Sequence, residues 1–146
     1  MEWSIKQIGV IHTSYNDMKD VPIQGIFKPD GTGIVEVFSE YQEGLKDIES
    51  FSHIILLYYF HLVKELVLQR KPFLDDKEHG IFSIRAPNRP NPIGLSIVKL
   101  LEIKENKLFV SEIDMIDGTP LIDIKPYVPD FDVRIDATKG WLKDKI

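Results

Sequence analysis

The 146-residue sequence contains no cysteine. This absence excludes a disulfide framework, a thiolate metal site and a thiol nucleophile, and it favours a reducing, cytoplasmic setting. Long hydrophobic runs are absent as well, because the longest one, residues 54–60, is far shorter than the roughly 20 residues that a membrane-spanning helix needs. The N-terminal residues also lack the apolar segment of a secretory leader. We therefore expect a cytoplasmic chain with neither a leader nor a membrane segment.

Positive charge is in short supply over the chain as a whole. Lysine and arginine number 18 against 23 aspartates and glutamates, which gives a formal net charge of −5. This balance argues against non-specific nucleic-acid binding by the whole chain. Between residues 61 and 99, however, seven basic residues face four acidic ones, and the basic ones are Lys64, Arg70, Lys71, Lys77, Arg85, Arg89 and Lys99. A local basic face on an acidic protein is therefore compatible with the sequence.

Metal-ligand patterns are lacking too. The four histidines show no His-x-x-x-His spacing. His53 and His61 bound one apolar segment and would lie about 26 Å apart on a continuous strand, at roughly 3.3 Å per residue. No serine and histidine form a recognisable nucleophile motif. The sequence therefore predicts no metal site and identifies no catalytic residue.

What the sequence does contain is a series of short β-favouring segments separated by turn residues. The predicted strands are residues 5–11, 33–38, 52–63, 80–85, 95–103 and 108–113. A Glu-Asn pair at 105–106 predicts a hairpin turn between the last two of these strands. Residues 13–33, rich in glycine and proline, predict a long loop.

Helical signals are few and short. Leu45, Ile48 and Phe51 recur at every third position, which predicts a short amphipathic helix. Residues 137–146 predict a short helical tail, and the prolines after Gly118 predict an extended trace. We therefore expect one domain over residues 1–146 in the mostly β (α+β) class, a small closed or nearly closed β-barrel with short helical inserts.

The segment from Arg85 to Gly94 carries three prolines, each of which fixes its own backbone angle and pushes the preceding residue toward an extended conformation. A stiff loop that displays two arginines and two asparagines is preorganised to bind a polar ligand, because little conformational entropy is lost on binding. The alternative is a structural crossover whose arginines pair with surface carboxylates. The residues alone leave both open.

A second polar segment runs from Asp114 to Tyr127 and contains three aspartates and a lysine around an Asp-Gly turn. Carboxylates here could accept hydrogen bonds from ribose hydroxyls or an amino group, or stabilise a cation. Turn formation by Asp117 and pairing of Asp123 with Lys125 or an arginine are the structural alternatives.

These two segments, RAPNRPNPIGLS and DMIDGTPLIDIKPY, together with IGVIHT and GLKDIESFSHIILLYYFH, resemble the TsaA-like family over nearly the whole chain. The studied bacterial members of that family are tRNA methyltransferases of the TrmO type. The resemblance implies a single-domain barrel that forms a homodimer and binds S-adenosyl-L-methionine near the subunit interface. It also implies methylation at N6 of threonylcarbamoyl-adenosine beside the tRNA anticodon.

Residue by residue, the resemblance implies cofactor contacts from several loops and strand ends. They are Pro22, Ile23, Gln24, His61, Leu62, Arg85, Leu95, Asp114, Met115, Ile116 and Asp117. For contacts to RNA phosphates, the local positive charge selects Lys64, Arg70, Lys71 and Arg89. No residue is identified as a general base.

Two departures from the family pattern accompany the resemblance. The sequence ends shortly after KPY, whereas the bacterial tRNA-modifying members continue into a C-terminal domain, and Ile23 stands where those members often have a basic residue. We therefore expect either weaker tRNA contact or another acceptor. The alternatives are a non-catalytic module that binds S-adenosyl-L-methionine and a methyltransferase that acts on a small molecule.

Overall fold

The computed structural model describes residues 1–146 and divides into two compact units. The first unit comprises Met1–His61 and Ile93–Tyr127, and the second comprises Leu62–Pro92 and Val128–Ile146. The organisation as a single domain stays a prediction.

The first unit is a closed β-barrel of six antiparallel strands. In chain order these are β1 (Gly9–Thr13), β2 (Thr32–Val37), β3 (His53–Tyr59), β6 (Ile93–Lys104), β7 (Lys107–Ser111) and β8 (Thr119–Pro126). The order around the barrel is β1, β2, β7, β6, β3, β8, and β8 pairs with β1 to close it. The predicted fold class is therefore confirmed.

Short 3-10 helices are the helical inserts of this unit. They span Met18–Asp20, Gly25–Phe27, Ser39–Leu45 and Ile48–Ser50. The amphipathic helix predicted around Ile48 is thus realised as two successive 3-10 segments. Ile48 is buried and Leu45 packs against the core, one from each of the two 3-10 segments.

Alternation along β3 and β6 separates a buried inner face from an apolar outer face. On β3, Ile54, Leu56 and Tyr58 point inward and are at most 4% exposed. On β6 the inward positions are Gly94, Ser96 and Val98. The outward residues Ile55, Leu57, Leu95 and Ile97 form two cross-strand pairs. Both faces of β3 are therefore apolar, which explains why residues 54–60 are apolar at every position although their side chains alternate between the inside and the outside of the barrel.

The antiparallel order also decides which loops meet. Because strand directions alternate around the ring, β1, β3 and β7 end where β2, β6 and β8 begin. Residues 14–31, residues 112–118, the end of β3 and the start of β6 therefore share one end of the barrel. We call it the loop end.

The second unit contains the paired strands β4 (Gln69–Arg70) and β5 (His79–Gly80), a 3-10 turn at Ile81–Ser83, the single-turn helix α1 (Pro129–Asp132) and a 3-10 turn at Gly140–Leu142. The strand predicted at 80–85 is wrong beyond residue 80. Ile81 and Ile84 are the buried side chains there, and their spacing of three suits a 3-10 turn rather than a strand. The predicted helical tail likewise reduces to one 3-10 turn.

The C-terminal tail is attached within the second unit by one polar and aromatic cluster. His79 Nε2 lies 2.8 Å from Asp75 Oδ2, and Lys145 Nζ lies 3.6 Å from the other Asp75 oxygen. The Trp141 ring stacks on His79 at 4.4 Å, and its Nε1 donates to the carbonyl oxygen of Ser83. The His79 ring holds the pKa of Asp75 well below its ordinary value. We call these residues the tail clamp.

Candidate functional site

A hydrogen-bonded carboxylate lies at the loop end of the barrel. Asp114 follows β7 and accepts a hydrogen bond from the hydroxyl of Ser96, an inward residue of β6. Its other oxygen, Oδ2, accepts from the backbone N–H of Gly25 at 3.1 Å. Both oxygens of this half-buried carboxylate thus have hydrogen-bond donors, which offset the cost of removing them from water.

The hydroxyl of Ser96 links this carboxylate to the barrel interior. Tyr58 Oη lies 2.7 Å from Ser96 Oγ, and both side chains are at most 4% exposed. A serine hydroxyl has one proton, which here goes to Asp114, so Tyr58 must be the donor to Ser96. The result is a directional chain of hydrogen bonds, Tyr58 to Ser96 to Asp114, which we call the relay.

Gly25 fits this arrangement because it has no side chain. A Cβ at this position would lie 1.7 Å from the carbonyl oxygen of Glu112. Glu112 itself adopts a left-handed backbone with φ of 65°, which is costly for a residue other than glycine. The loop of residues 22–27 is therefore packed directly on the backbone that precedes Asp114.

The rest of the predicted segment 114–117 is fastened to the end of β1. Asp117 Oδ1 accepts from the backbone N–H of Thr13 at 3.0 Å, and Thr13 Oγ1 donates to the carbonyl oxygen of Met115. The Asp117 N–H donates to the carbonyl oxygen of Tyr15. Met115 and Ile116 are buried, at 3% and 7% exposure. Their side chains belong to the core, so a ligand at the loop end meets chiefly their backbone.

The remaining predicted cofactor residues fall in both units. In the first unit, Pro22, Ile23 and Gln24 precede Gly25 at the loop end, Leu95 is an outward residue of β6, and His61 lies just beyond the end of β3, half-buried. Leu62 and Arg85 belong to the second unit, where both are exposed.

Within the second unit, the predicted phosphate-binding residues differ in their surroundings. Arg70 Nη1 donates to Asn88 Oδ1 at 2.5 Å, and Asn88 Nδ2 donates to the carbonyl oxygen of Glu65. Arg89 Nη1 donates to the carbonyl oxygens of Ile84 and Ala86. Both arginines thus hold the proline-rich loop in place through hydrogen bonds to its side chains or backbone. Lys64 and Lys71 are exposed.

Three further features concern metal ions, membrane-spanning helices and the other end of the barrel. No group of three or more histidine, aspartate or glutamate side chains is arranged to hold a metal ion. No helix is long and apolar enough to cross a membrane. A depression of about 550 Å³ lies beside the β6–β7 hairpin, lined by Lys104–Lys107 and Phe109, at the end of the barrel opposite the relay.

Sequence reasoning did not identify Tyr58, Ser96 and Gly25 as parts of the site. Ser96 had a detectable signal, because it is the one polar side chain at the inward positions of β6 that pair with β3. Gly25 had none, since its partner Asp114 lies 89 residues away in sequence.

These features define a closed antiparallel β-barrel with a polar loop end, a class distinct from doubly wound sheets. The family model described as the tRNA-methyltransferase O N-terminal domain matches residues 10–133. The chain belongs to this family, which confirms the resemblance seen in its four sequence segments.

Three relatives show how far the similarity extends. A Pyrococcus abyssi protein named "Probable S-adenosyl-L-methionine-binding protein" is 53% identical over 97% of this chain and 77% of its own length. The crystal structure of TrmO from Pseudomonas aeruginosa matches with a TM-score of 0.82 and 35% identity, over 97% of this chain. The Mus musculus tRNA (adenine(37)-N6)-methyltransferase is 41% identical over 66% of this chain and 23% of its own. This chain covers 63% of the Pseudomonas structure, less than two thirds.

Proposed function

We propose that this protein binds S-adenosyl-L-methionine at the loop end of the barrel and methylates N6 of threonylcarbamoyl-adenosine beside the tRNA anticodon. The observation that carries the proposal is the Asp114 carboxylate, oriented by Ser96 and Gly25, in a chain that belongs to the tRNA-methyltransferase O family. The names of the Pyrococcus and mouse relatives support the cofactor and the acceptor respectively.

The donor chemistry of the site fits this cofactor. S-adenosyl-L-methionine presents amino and ribose hydroxyl donors and a positive charge, and an oriented carboxylate accepts or stabilises all three. We assign the cofactor contacts to Pro22–Gln24, His61, Leu62, Arg85, Leu95 and Asp114–Asp117. For Met115 and Ile116, whose side chains are buried, these contacts are made by the backbone.

The cofactor supplies a methyl group already activated on a sulfonium, so the protein mainly has to align the acceptor and exclude water. In the proposed reaction, N6 would form a bond to the methyl carbon, the electrons of the carbon–sulfur bond would return to sulfur, and the N6 proton would leave to solvent water. The N6 lone pair is delocalised into the ring, and an acceptor on its N–H would make it more nucleophilic. A carboxylate or a backbone carbonyl of residues 114–117 would serve.

The RNA part of the proposal rests on charge and accessibility. Bases in a single-stranded loop can be splayed out and inserted into a pocket without opening a duplex. Lys64, Arg70, Lys71 and Arg89 are the proposed phosphate contacts. Arg70 and Arg89 would contact phosphate with guanidinium nitrogens other than the Nη1 atoms that bond the loop.

Methyl transfer to defined tRNAs tests this function. The protein is incubated with S-adenosyl-L-methionine labelled in its methyl group and with anticodon-stem RNA that either carries or lacks the threonylcarbamoyl group. We expect label only in the modified RNA, and much less with Asp114→Asn. Cofactor binding without transfer to either RNA would refute the acceptor. It would favour the alternative, a module that binds the cofactor without catalysis, which agrees with the name of the Pyrococcus relative.

We also propose that the protein is a homodimer. The outer face of β3 and β6 exposes a contiguous apolar surface in which Leu95 is 46% and Ile97 is 43% exposed. Apolar patches of this kind mark interaction surfaces, and two-fold homodimers are the commonest assemblies.

Light scattering with cofactor present should return twice the chain mass of 16.9 kDa. Ile97→Lys should yield monomers, because a charge would be buried without a partner. Ile135→Lys, at a 96% exposed apolar residue of the second unit, is the control and should stay dimeric. A monomeric wild-type protein would overturn the proposal.

A further inference from the structure

The two hydroxyls of the relay are buried polar groups on the inner face of the barrel. Tyr58 and Ser96 lie on adjacent strands, at inward positions, and are 4% and 3% exposed. Buried hydroxyls cost stability unless they are hydrogen-bonded. Tyr58 donates to Ser96, and Ser96 donates to Asp114. The relay thus ends on a residue of the loop end.

The barrel wall holds the relay in place. Gly94 is the cross-strand partner of Tyr58, and a Cβ at Gly94 would lie 2.2 Å from Tyr58 Cε2. Phe60 packs edge-on against the Tyr58 ring with centroids 5.5 Å apart. The Tyr58 ring therefore has one position, set by strands rather than loops, and it fixes the direction from which Ser96 receives its hydrogen bond.

The second carboxylate oxygen of Asp114 binds the loop that contains Gly25. Its Oδ2 accepts the Gly25 N–H, and the three residues before Gly25 are Pro22, Ile23 and Gln24. Gly25 is buried against the carbonyl oxygen of Glu112. If the Asp114 carboxylate rotated, it would lose the hydrogen bond from Gly25, and the loop of residues 22–27 would shift or detach from it.

We propose that Ser96, supported by Tyr58, is a positioning residue that fixes the Asp114 carboxylate and, through the Gly25 amide, the loop of residues 22–24 for cofactor binding. The inference rests on the proposed function for its cofactor. The structural part of the inference is the pair of hydrogen bonds that connects Ser96 to Gly25 through Asp114, and it does not depend on any ligand. Ser96 and Tyr58 act through Asp114 and need not touch the cofactor.

The test compares Ser96→Ala, Tyr58→Phe and Ser111→Ala. Ser111 is also a buried barrel serine, at 7% exposure, but lies outside the relay, so its variant is the matched control. The first measurement is amide hydrogen exchange of Gly25 without ligand. The second is the Kd for S-adenosyl-L-methionine by calorimetry. Both are repeated for Ser96→Ala in an Asp114→Ala background, which leaves no side-chain acceptor for Ser96, and thermal unfolding of every variant is recorded.

We expect Ser96→Ala to raise the cofactor Kd by about tenfold, the order of one hydrogen bond to a charged group. Tyr58→Phe should have a smaller effect, because Ser96 still donates to Asp114, and Ser111→Ala should have none. Gly25 exchange should accelerate in the same order. In the Asp114→Ala background, Ser96→Ala should add little, because the side chain that Ser96 positions is already absent.

A Kd within twofold of wild type for both relay variants, or an undiminished Ser96→Ala effect in the Asp114→Ala background, would overturn the proposal. If Ser96→Ala did not fold, the cofactor Kd and the Gly25 exchange rate of Tyr58→Phe would decide instead. If the wild-type protein bound no cofactor, the proposed function would fail. Unchanged Gly25 exchange in the relay variants would refute the positioning role in that case, and accelerated exchange would support it.

Discussion

The three aspartates of segment 114–127 have different roles at the scale of single residues. Asp114 ends the relay, and Asp117 binds the backbone N–H of Thr13. Asp123 pairs with Lys125 at 3.0 Å, as one structural alternative had predicted. Both partners are more than 40% exposed, so this pair contributes little to stability. Only the first aspartate joins several elements, and it alone is assigned a central role in binding.

Arg85 provides a prediction at the same scale. Its guanidinium offers donors in a fixed fork, which suits oxygen acceptors of a polar cofactor. Arg85→Ala should weaken S-adenosyl-L-methionine binding by about tenfold or more, the order of a charged hydrogen bond. Calorimetry measures this directly. Arg134→Ala, an exposed arginine of the same unit, is the control and should bind normally. Equal affinity of the Arg85 variant and the wild type would remove Arg85 from the site.

At the scale of elements, local patterns predicted most of the barrel. The β6–β7 hairpin turns at residues 105–106 as predicted, with Glu105 at φ of 55°. Strand β8 was predicted only as an extended trace after Gly118, and its Pro120 and Pro126 cannot donate backbone hydrogen bonds to a neighbouring strand. The structure accommodates both near the strand ends, where a missing N–H costs least. Closure of the barrel depended on this strand.

The site was less predictable than the fold for a related reason. Leu95 and Asp114 could be placed by resemblance, but the contact of Asp114 with Ser96 depends on how the chain continues past β7. The left-handed Glu112 sets that path, and no local pattern predicts such a conformation for glutamate. Long-range contacts of this kind follow from the closed barrel as a whole.

The tail clamp gives a prediction about pH. Because the folded protein lowers the pKa of Asp75, the attachment is at full strength above the ordinary aspartate pKa of about 3.9 and weakens as pH falls below it. Trp141 fluorescence should report release of the tail in this range. Asp75→Ala should show a released tail and a flat profile at every pH, while Asp136→Ala should behave like wild type. Identical profiles for Asp75→Ala and wild type would show that the clamp does not hold the tail.

At the scale of the whole molecule, the proposed RNA binding must overcome a net charge of −5. Replacing Lys64 and Lys71 by alanine should weaken tRNA binding and flatten its salt dependence. The variant would make two fewer phosphate contacts, so its binding would release fewer counterions from the RNA. Cofactor affinity should stay unchanged. Lys104 and Lys107, at the end of the barrel opposite the loop end, give the matched double substitution. Filter binding at several salt concentrations measures both effects, and equal losses in the two double variants would argue against a local binding face.

The central claim is that this barrel methylates N6 of a modified adenosine, and mass spectrometry of nucleosides tests it most directly. Transfer RNA that carries the threonylcarbamoyl group but not the methyl is incubated with the protein and isotope-labelled S-adenosyl-L-methionine, then digested to nucleosides. We predict that threonylcarbamoyl-adenosine gains one labelled methyl group, which fragmentation locates on N6. Label on another nucleoside, or no label under conditions where calorimetry shows bound cofactor, would contradict the account.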